Sequence, residues 1–129
     1  MLRDSKAFSG FATDDLEAAQ KFYGETLGLD VEVWDEGNLL ALHLAGGRDT
    51  LIYNKPDFVP ATYTILNFPV EDIDAAVAEL TKRGVTFERY DGFDQDEHGI
   101  AHGLAAGQGP DIAWFKDPAG NILSVLKET

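Results

Sequence analysis

Cysteine is absent from the 129 residues, which excludes disulfides, thiolate nucleophiles and thiolate metal sites. Positive charge is scarce: ten lysines and arginines stand against 23 acidic residues, a formal net charge of −13. A field of that sign repels phosphate backbones and anionic lipid, so neither nucleic acid nor a membrane surface is expected as a partner. It concentrates cationic small molecules near a cleft, or it serves solubility alone. Long apolar runs are also missing, and no segment of about 18 such residues exists to span a membrane as a helix. The opening MLRDSKAF lacks the apolar core of a secretory signal, so a cytoplasmic protein is the expectation.

What is present is most explicit in DIAWFKDPAGNILSVL, Asp111 to Leu126, where two apolar runs flank a turn. Pro118 pre-sets φ, Asp117 can fold its carboxylate onto nearby N–H groups, and Gly120 supplies the positive φ that closes a bulged hairpin. Ile112, Trp114 and Lys116 then share one face with Ala113 and Phe115 on the other, and both faces look covered.

Taken in order, Phe8 to Thr13 reads as a strand, after which Asp14 and Asp15 can cap a helix carrying Leu16, Ala19, Tyr23 and Leu27 at helical spacing. Gly28 stands where a left-handed terminal residue belongs. Leu29 to Trp34, Leu39 to Ala45 and Thr50 to Asn54 follow as strands, and Lys55 to Ala61, with Pro56 and Pro60, is a linker. Then the pattern repeats. Asp72-Ile73-Asp74-Ala75-Ala76 lies over Asp15-Leu16-Glu17-Ala18-Ala19, which brings Phe68 onto Phe11. Tyr63 to Val70 is a strand, Ile73, Ala76, Val77 and Leu80 form a helical stripe, Val85 to Tyr90 extend, and the hairpin completes the copy. Only Asp91 to Pro110, rich in glycine and acid, breaks the symmetry, and a loop of that length is functional or disordered. Its glycines suggest a mobile lid.

Two strand-helix-three-strand units, the Asp-[Leu/Ile]-acid-Ala-Ala helix starts, the run Phe22-Tyr23…Leu27-Gly28-Leu29 and the ending Phe115-Lys116-Asp117-Pro118-Ala119-Gly120-Asn121 resemble the vicinal-oxygen-chelate superfamily. That is the glyoxalase, bleomycin resistance and extradiol dioxygenase group. The resemblance implies an α+β fold, two βαβββ units forming a curled mixed sheet with helices outside, within one domain over 1–129: unit one 1–55, linker 56–61, unit two 62–129. It also implies a cup-shaped cavity and a homodimer. Metal-using members carry His or Glu seven residues before the Asp that opens each helix and seven after the Asp of the last hairpin. Those positions here are Phe8, Ile65 and Ser124, and the remaining one falls among Leu51, Ile52 and Tyr53. Divalent metals prefer imidazole and carboxylate, so neither a metal nor another cofactor is expected.

His43 alternates against Leu40, Leu42 and Leu44, so it points into a cup or into solvent, as ligand contact or structural histidine. His98 and His102 have the spacing of helical ligand pairs, but Gly99 and Gly103 oppose a helix; a polar lid is the plainer reading. Phe93 beside Asp91, Asp94, Asp96 and Glu97 suits a cationic, partly aromatic ligand, or is a solvated loop. Trp34 and Trp114 line a cavity or fill a core. Phe58, between prolines, covers an edge, a partner subunit or a cavity mouth. Tyr53 and Ser124 offer hydroxyls inside the cup. The expected function is metal-free binding of a small molecule, with sequestration of a cationic or aromatic compound as one form of it. The rivals are a lyase, isomerase or dioxygenase with a non-standard site, and a protein-interaction module without ligand.

Overall fold

In the computed structural model, which describes Met1 to Thr129, Asp15 and Asp72 play the same part at equivalent places. Each is extended, and each side-chain Oδ1 accepts from the backbone N–H three residues on, Ala18 and Ala75, at 3.0 Å. Satisfying an orphan donor this way stabilises a helix start by about 1 kcal/mol. The chain divides into two units, Met1–Pro60 and Ala61–Thr129, so both linker prolines fall with the first.

In unit one, helix α1 (Leu16–Lys21) continues as a wider π turn over Phe22–Thr26 instead of a uniform α-helix, and Gly28 ends it at φ 71°. Ala19 and Tyr23 are buried, and the Tyr23 ring lies 5.7 Å from Phe11 and 5.2 Å from Phe22. Strands β1 (Ser9–Thr13), β2 (Asp30–Trp34), β3 (Leu39–His43) and β4 (Thr50–Asn54) form a sheet in the order β1-β4-β3-β2, with β1 parallel to β4. Register puts Phe11, Leu40, Leu42 and Ile52 on the face toward Tyr23. The opposite face carries Glu32, Trp34, His43, Leu51 and Tyr53.

Unit two has β5 (Thr64–Pro69), helix α2 (Ile73–Lys82), β6 (Ala101–His102), a short α3 (Gly103–Ala106), β7 (Asp111–Lys116) and β8 (Ile122–Lys127), with sheet order β5-β8-β7-β6. The hairpin forms as its sequence directs. Asp117, 5% exposed, accepts at Oδ1 from the amides of Ala119 and Asn121 and at Oδ2 from the Asn121 side chain, while Gly120 sits at φ 95°.

The strand expected over Val85 to Tyr90 is where the structure departs. Only Phe87 bridges to Phe115, with Glu88 N–H donating to the Trp114 carbonyl at 2.8 Å. The chain then leaves β7 and returns at Ala101–His102, which pair with Ile112 and Asp111. One edge of β7 is thus hydrogen-bonded by two separated pieces of chain, because each edge group can be used once. Ile112, Trp114, Ile122 and Ser124 share one face of this sheet, and Ala113, Phe115, Leu123 and Val125 the other. The architecture is α+β, with two four-stranded mixed sheets and helices. No helix is long and apolar enough to cross a membrane.

Candidate ligand-binding site

Trp114, in the middle of β7, is 8% exposed and packs with Ala101, Ile122, Ile112 and Tyr90. The Tyr90 ring meets it at 5.5 Å and the Phe93 ring at 4.8 Å, tilted by 60°. Phe93 is 54% exposed, so the stack ends in an open ring laid on a buried one. A cavity of 560 Å³ adjoins it, lined by Phe93, Trp114, Ile112, His102, Asp94 and Asp96 among others. The Tyr90 hydroxyl is buried without a partner; burial, and then the charge of Glu88, push its phenol above the ordinary value.

Two side chains shape the wall. Gln95 accepts from Tyr90 N–H at 2.9 Å and donates to the carbonyls of Glu88 at 2.9 Å and Gly99 at 2.7 Å. Asp96 Oδ1 accepts from the amides of His98 at 2.8 Å and Ile100 at 3.0 Å, and its Oδ2 lies 2.7 Å from His102 Nε2. The segment from Asp91 to Pro110 thus carries hydrogen bonds within itself and back to Glu88 and Tyr90. Gly103 closes its neck: a Cβ there would lie 2.4 Å from the Pro110 carbonyl oxygen.

His102 is held between two carboxylates. The Asp96 hydrogen bond raises its pKa most, burial acts against that, and the charges of Asp96, Asp111 and Asp74 add to the rise. Burial works to raise the Asp96 carboxyl, yet hydrogen bonds from His102, Ile100 and His98 leave it below the ordinary value. Asp111 Oδ2 stands 4.0 Å from His102 Nδ1, and its Oδ1 accepts from Leu104 N–H at 3.0 Å. His98 does not join His102; it is exposed beside Glu97 at 3.4 Å.

In unit one a hollow of 330 Å³ lies on the face away from Tyr23, lined by Phe8, Trp34, Arg48, Asp49 and Leu51 with Gly47. His43 borders it, its ring 6.3 Å from that of Trp34. Its Nδ1 is 2.8 Å from Asp49 and its Nε2 2.9 Å from Glu32; the Asp49 hydrogen bond and then that of Glu32 raise its pKa. Glu32 is lowered by hydrogen bonds from His43 and Trp34.

The expected residues therefore separate. Phe93, His102 and Trp114 meet in one cavity, and Trp34 and His43 gather at another. Tyr53 is 44% exposed on the Trp34 face, and Phe58 is half-buried beside the Lys55–Asp57 ion pair; neither lines a hollow with the others. Ser124 is fully buried, its hydroxyl donating to Asn67 Oδ1. Sequence reasoning passed over Glu32, Asp49, Gln95 and Arg48. Only Glu32 had a signal, standing two residues before Trp34 on the same strand face.

The positions where metal-using relatives carry ligands do not fit a metal. Phe8 and Ile65 are hydrocarbon, and Ser124 is engaged with Asn67. Glu32 and Asp49 approach opposite nitrogens of His43 and share no common centre, and no group of three or more histidine or acidic side chains is arranged to hold an ion.

The sequence model of the Glyoxalase/Bleomycin resistance protein/Dioxygenase superfamily matches residues 8–125. No curated protein matches the chain significantly. Among solved structures, a member of that superfamily from Sphaerobacter thermophilus superposes with a TM-score of 0.70 at 23% identity, covering 99% of this chain and 100% of that one. TnmS3, an antibiotic binding protein from a Streptomyces species, gives 0.69 at 24%, covering 100% and 99%. A glyoxalase/dioxygenase from Nostoc punctiforme gives 0.67 at 15%, covering 98% and 92%. At these identities the likeness is one of fold.

Proposed function

Since the chain belongs to the glyoxalase/bleomycin resistance protein/dioxygenase superfamily, we propose that it binds and sequesters a small aromatic cation, without metal, in the cavity of its second unit. The observation that carries this reading is the Phe93 ring, exposed and stacked at 4.8 Å on buried Trp114, with the unpaired carboxylate of Asp94 lining the same cavity. A flat cation can extend that stack, gaining about 0.5–2 kcal/mol per ring contact beyond its buried area. Asp94 supplies the counter-charge, and His102 and Asp96, bonded to each other, form a polar wall. The antibiotic binding neighbour from Streptomyces is compatible with such a role. Exposed Phe8, Tyr53, Val59 and Tyr63 further support association of the chain with a second copy.

The test uses the two tryptophans. In Trp34→Phe, Trp114 is the sole indole, and its emission should change saturably with a planar aromatic cation such as proflavine and much less with a neutral isostere such as anthracene carboxamide. Phe93→Ala should weaken the cation about tenfold. Equal response to cation and isostere, or none to either, would overturn the reading.

A further inference from the structure

His43 and His102 are both flanked by carboxylates, yet they are gripped differently. His43 has one on each nitrogen, Asp49 at 2.8 Å and Glu32 at 2.9 Å. His102 has only one at hydrogen-bond distance: Nε2 lies 2.7 Å from Asp96 Oδ2, whereas Nδ1 faces Asp111 Oδ2 at 4.0 Å, too far for a hydrogen bond. Asp111 already accepts from Leu104 N–H through its other oxygen. A neutral imidazole here keeps the Nε2 proton that Asp96 accepts, so the proton lost on titration is the one on Nδ1. The ring lines the cavity of the second unit together with Asp94 and Asp96, and among the lining side chains His102 alone can carry positive charge. The other charges around it are Asp74 on α2, the exposed Glu97 and His98 pair, and Arg89, whose guanidinium donates to the Asp96 carbonyl oxygen at 2.6 Å.

We propose that His102 decides when this cavity takes a cation: its Nδ1 proton and a bound aromatic cation exclude one another, so capture expels the proton and acid releases the cation. The inference rests on the reading of the cavity as a cation site. With the ring protonated, its charge offsets one of the two carboxylates that line the cavity, Asp94 and Asp96; with the ring neutral, both act on the ligand. The Asp96 hydrogen bond keeps the ring charged to a higher pH than an ordinary histidine, with burial acting against it, so affinity rises as pH rises through that raised value. Each capture by a protonated ring sends one proton from Nδ1 to solvent, and no other bond changes. The effect is reciprocal: a cation that prefers the neutral ring makes the ring harder to protonate by the same factor.

The probe is N-methylacridinium, a flat cation whose charge does not titrate across the range used, read through Trp114 emission in Trp34→Phe. Between mildly acidic and mildly alkaline buffer at low salt its Kd should fall about fivefold, the order expected for one unit charge several ångströms away in a half-exposed cavity, and the change should shrink at high salt. His102→Gln should abolish the change with pH, and His98→Gln should leave it. Proton NMR of the His102 ring, assigned by its loss in His102→Gln, gives a reading that a merely structural role would not move. Saturating acridinium should lower its titration midpoint by the same factor, and this measurement on the parent stands even where the variant folds poorly. An affinity that does not vary with pH, a variation that survives in His102→Gln, or a His102 midpoint unmoved by the ligand overturns the proton linkage and leaves the cation site standing. Absence of acridinium binding at every pH overturns both.

Discussion

Asp96 and His102 are six residues apart and joined by a 2.7 Å hydrogen bond, and through it the turn at His98 to Ile100 is tied to the end of β6. The His102 pKa lies above the ordinary value in the folded protein, so its stabilising contribution is fully present below a histidine's ordinary pKa and is lost as pH rises through the raised one. Asp96 is lowered, so its share is present above an aspartate's ordinary pKa and lost as pH falls through the lowered value. The stability difference between the parent and His102→Gln should be largest in mildly acidic buffer and shrink toward alkaline pH. Urea titrations across that range check this, and a difference that does not vary with pH would count against it.

Asp117 holds the final hairpin through a buried carboxylate that accepts from two amides and one side-chain amide. Asp117→Ala leaves those donors without partners and should cost about 2–3 kcal/mol. Chemical denaturation measures it, and a loss under about 0.5 kcal/mol would contradict the argument.

Gly103 opens α3 and Gly107 caps its end, yet the two differ. Alanine at 103 would place a methyl 2.4 Å from one carbonyl oxygen and 2.8 Å from another, whereas alanine at 107 meets open space and only the strain of φ 68°. Gly103→Ala should therefore cost about 1–3 kcal/mol and Gly107→Ala roughly 1 kcal/mol. Melting temperatures should rank them in that order, and proflavine affinity should fall only in the first.

Metal content follows from Phe8, Ile65 and Ser124 at the positions where metal-using relatives carry ligands. Elemental analysis of protein purified without chelator should find no near-stoichiometric zinc, nickel, iron or manganese. Tight retention of one of them would refute metal-free binding and direct attention to His43, His98 and His102.

Association is read most simply by sedimentation. Exposed Phe8, Tyr53, Val59 and Tyr63 give apolar surface that a second copy would cover, and at micromolar concentration the chain should sediment at twice its 14.1 kDa mass. A clean monomer would remove the homodimer from the account.

What the sequence determined by itself was everything governed by near neighbours. Asp15 and Asp72 act on amides three residues away, Asp117 on amides two and four away, and Gly28 and Gly120 adopt the positive φ their places require. The two alternating units follow from the same local rules, and the family follows from their order. Tertiary structure decided which segment takes a shared edge and which charges meet. Val85 to Tyr90 has the residues of a strand, yet β7 offers one free edge, and Ala101–His102 compete for it from across a loop. Gln95 could have bonded water; closure of that loop brings the carbonyls of Glu88 and Gly99 within its reach. His43 meets Glu32 only because β2 pairs with β3, eleven residues apart. Such meetings depend on distances through space that chain spacing does not encode, and so the charge of each cavity became legible only in the folded chain.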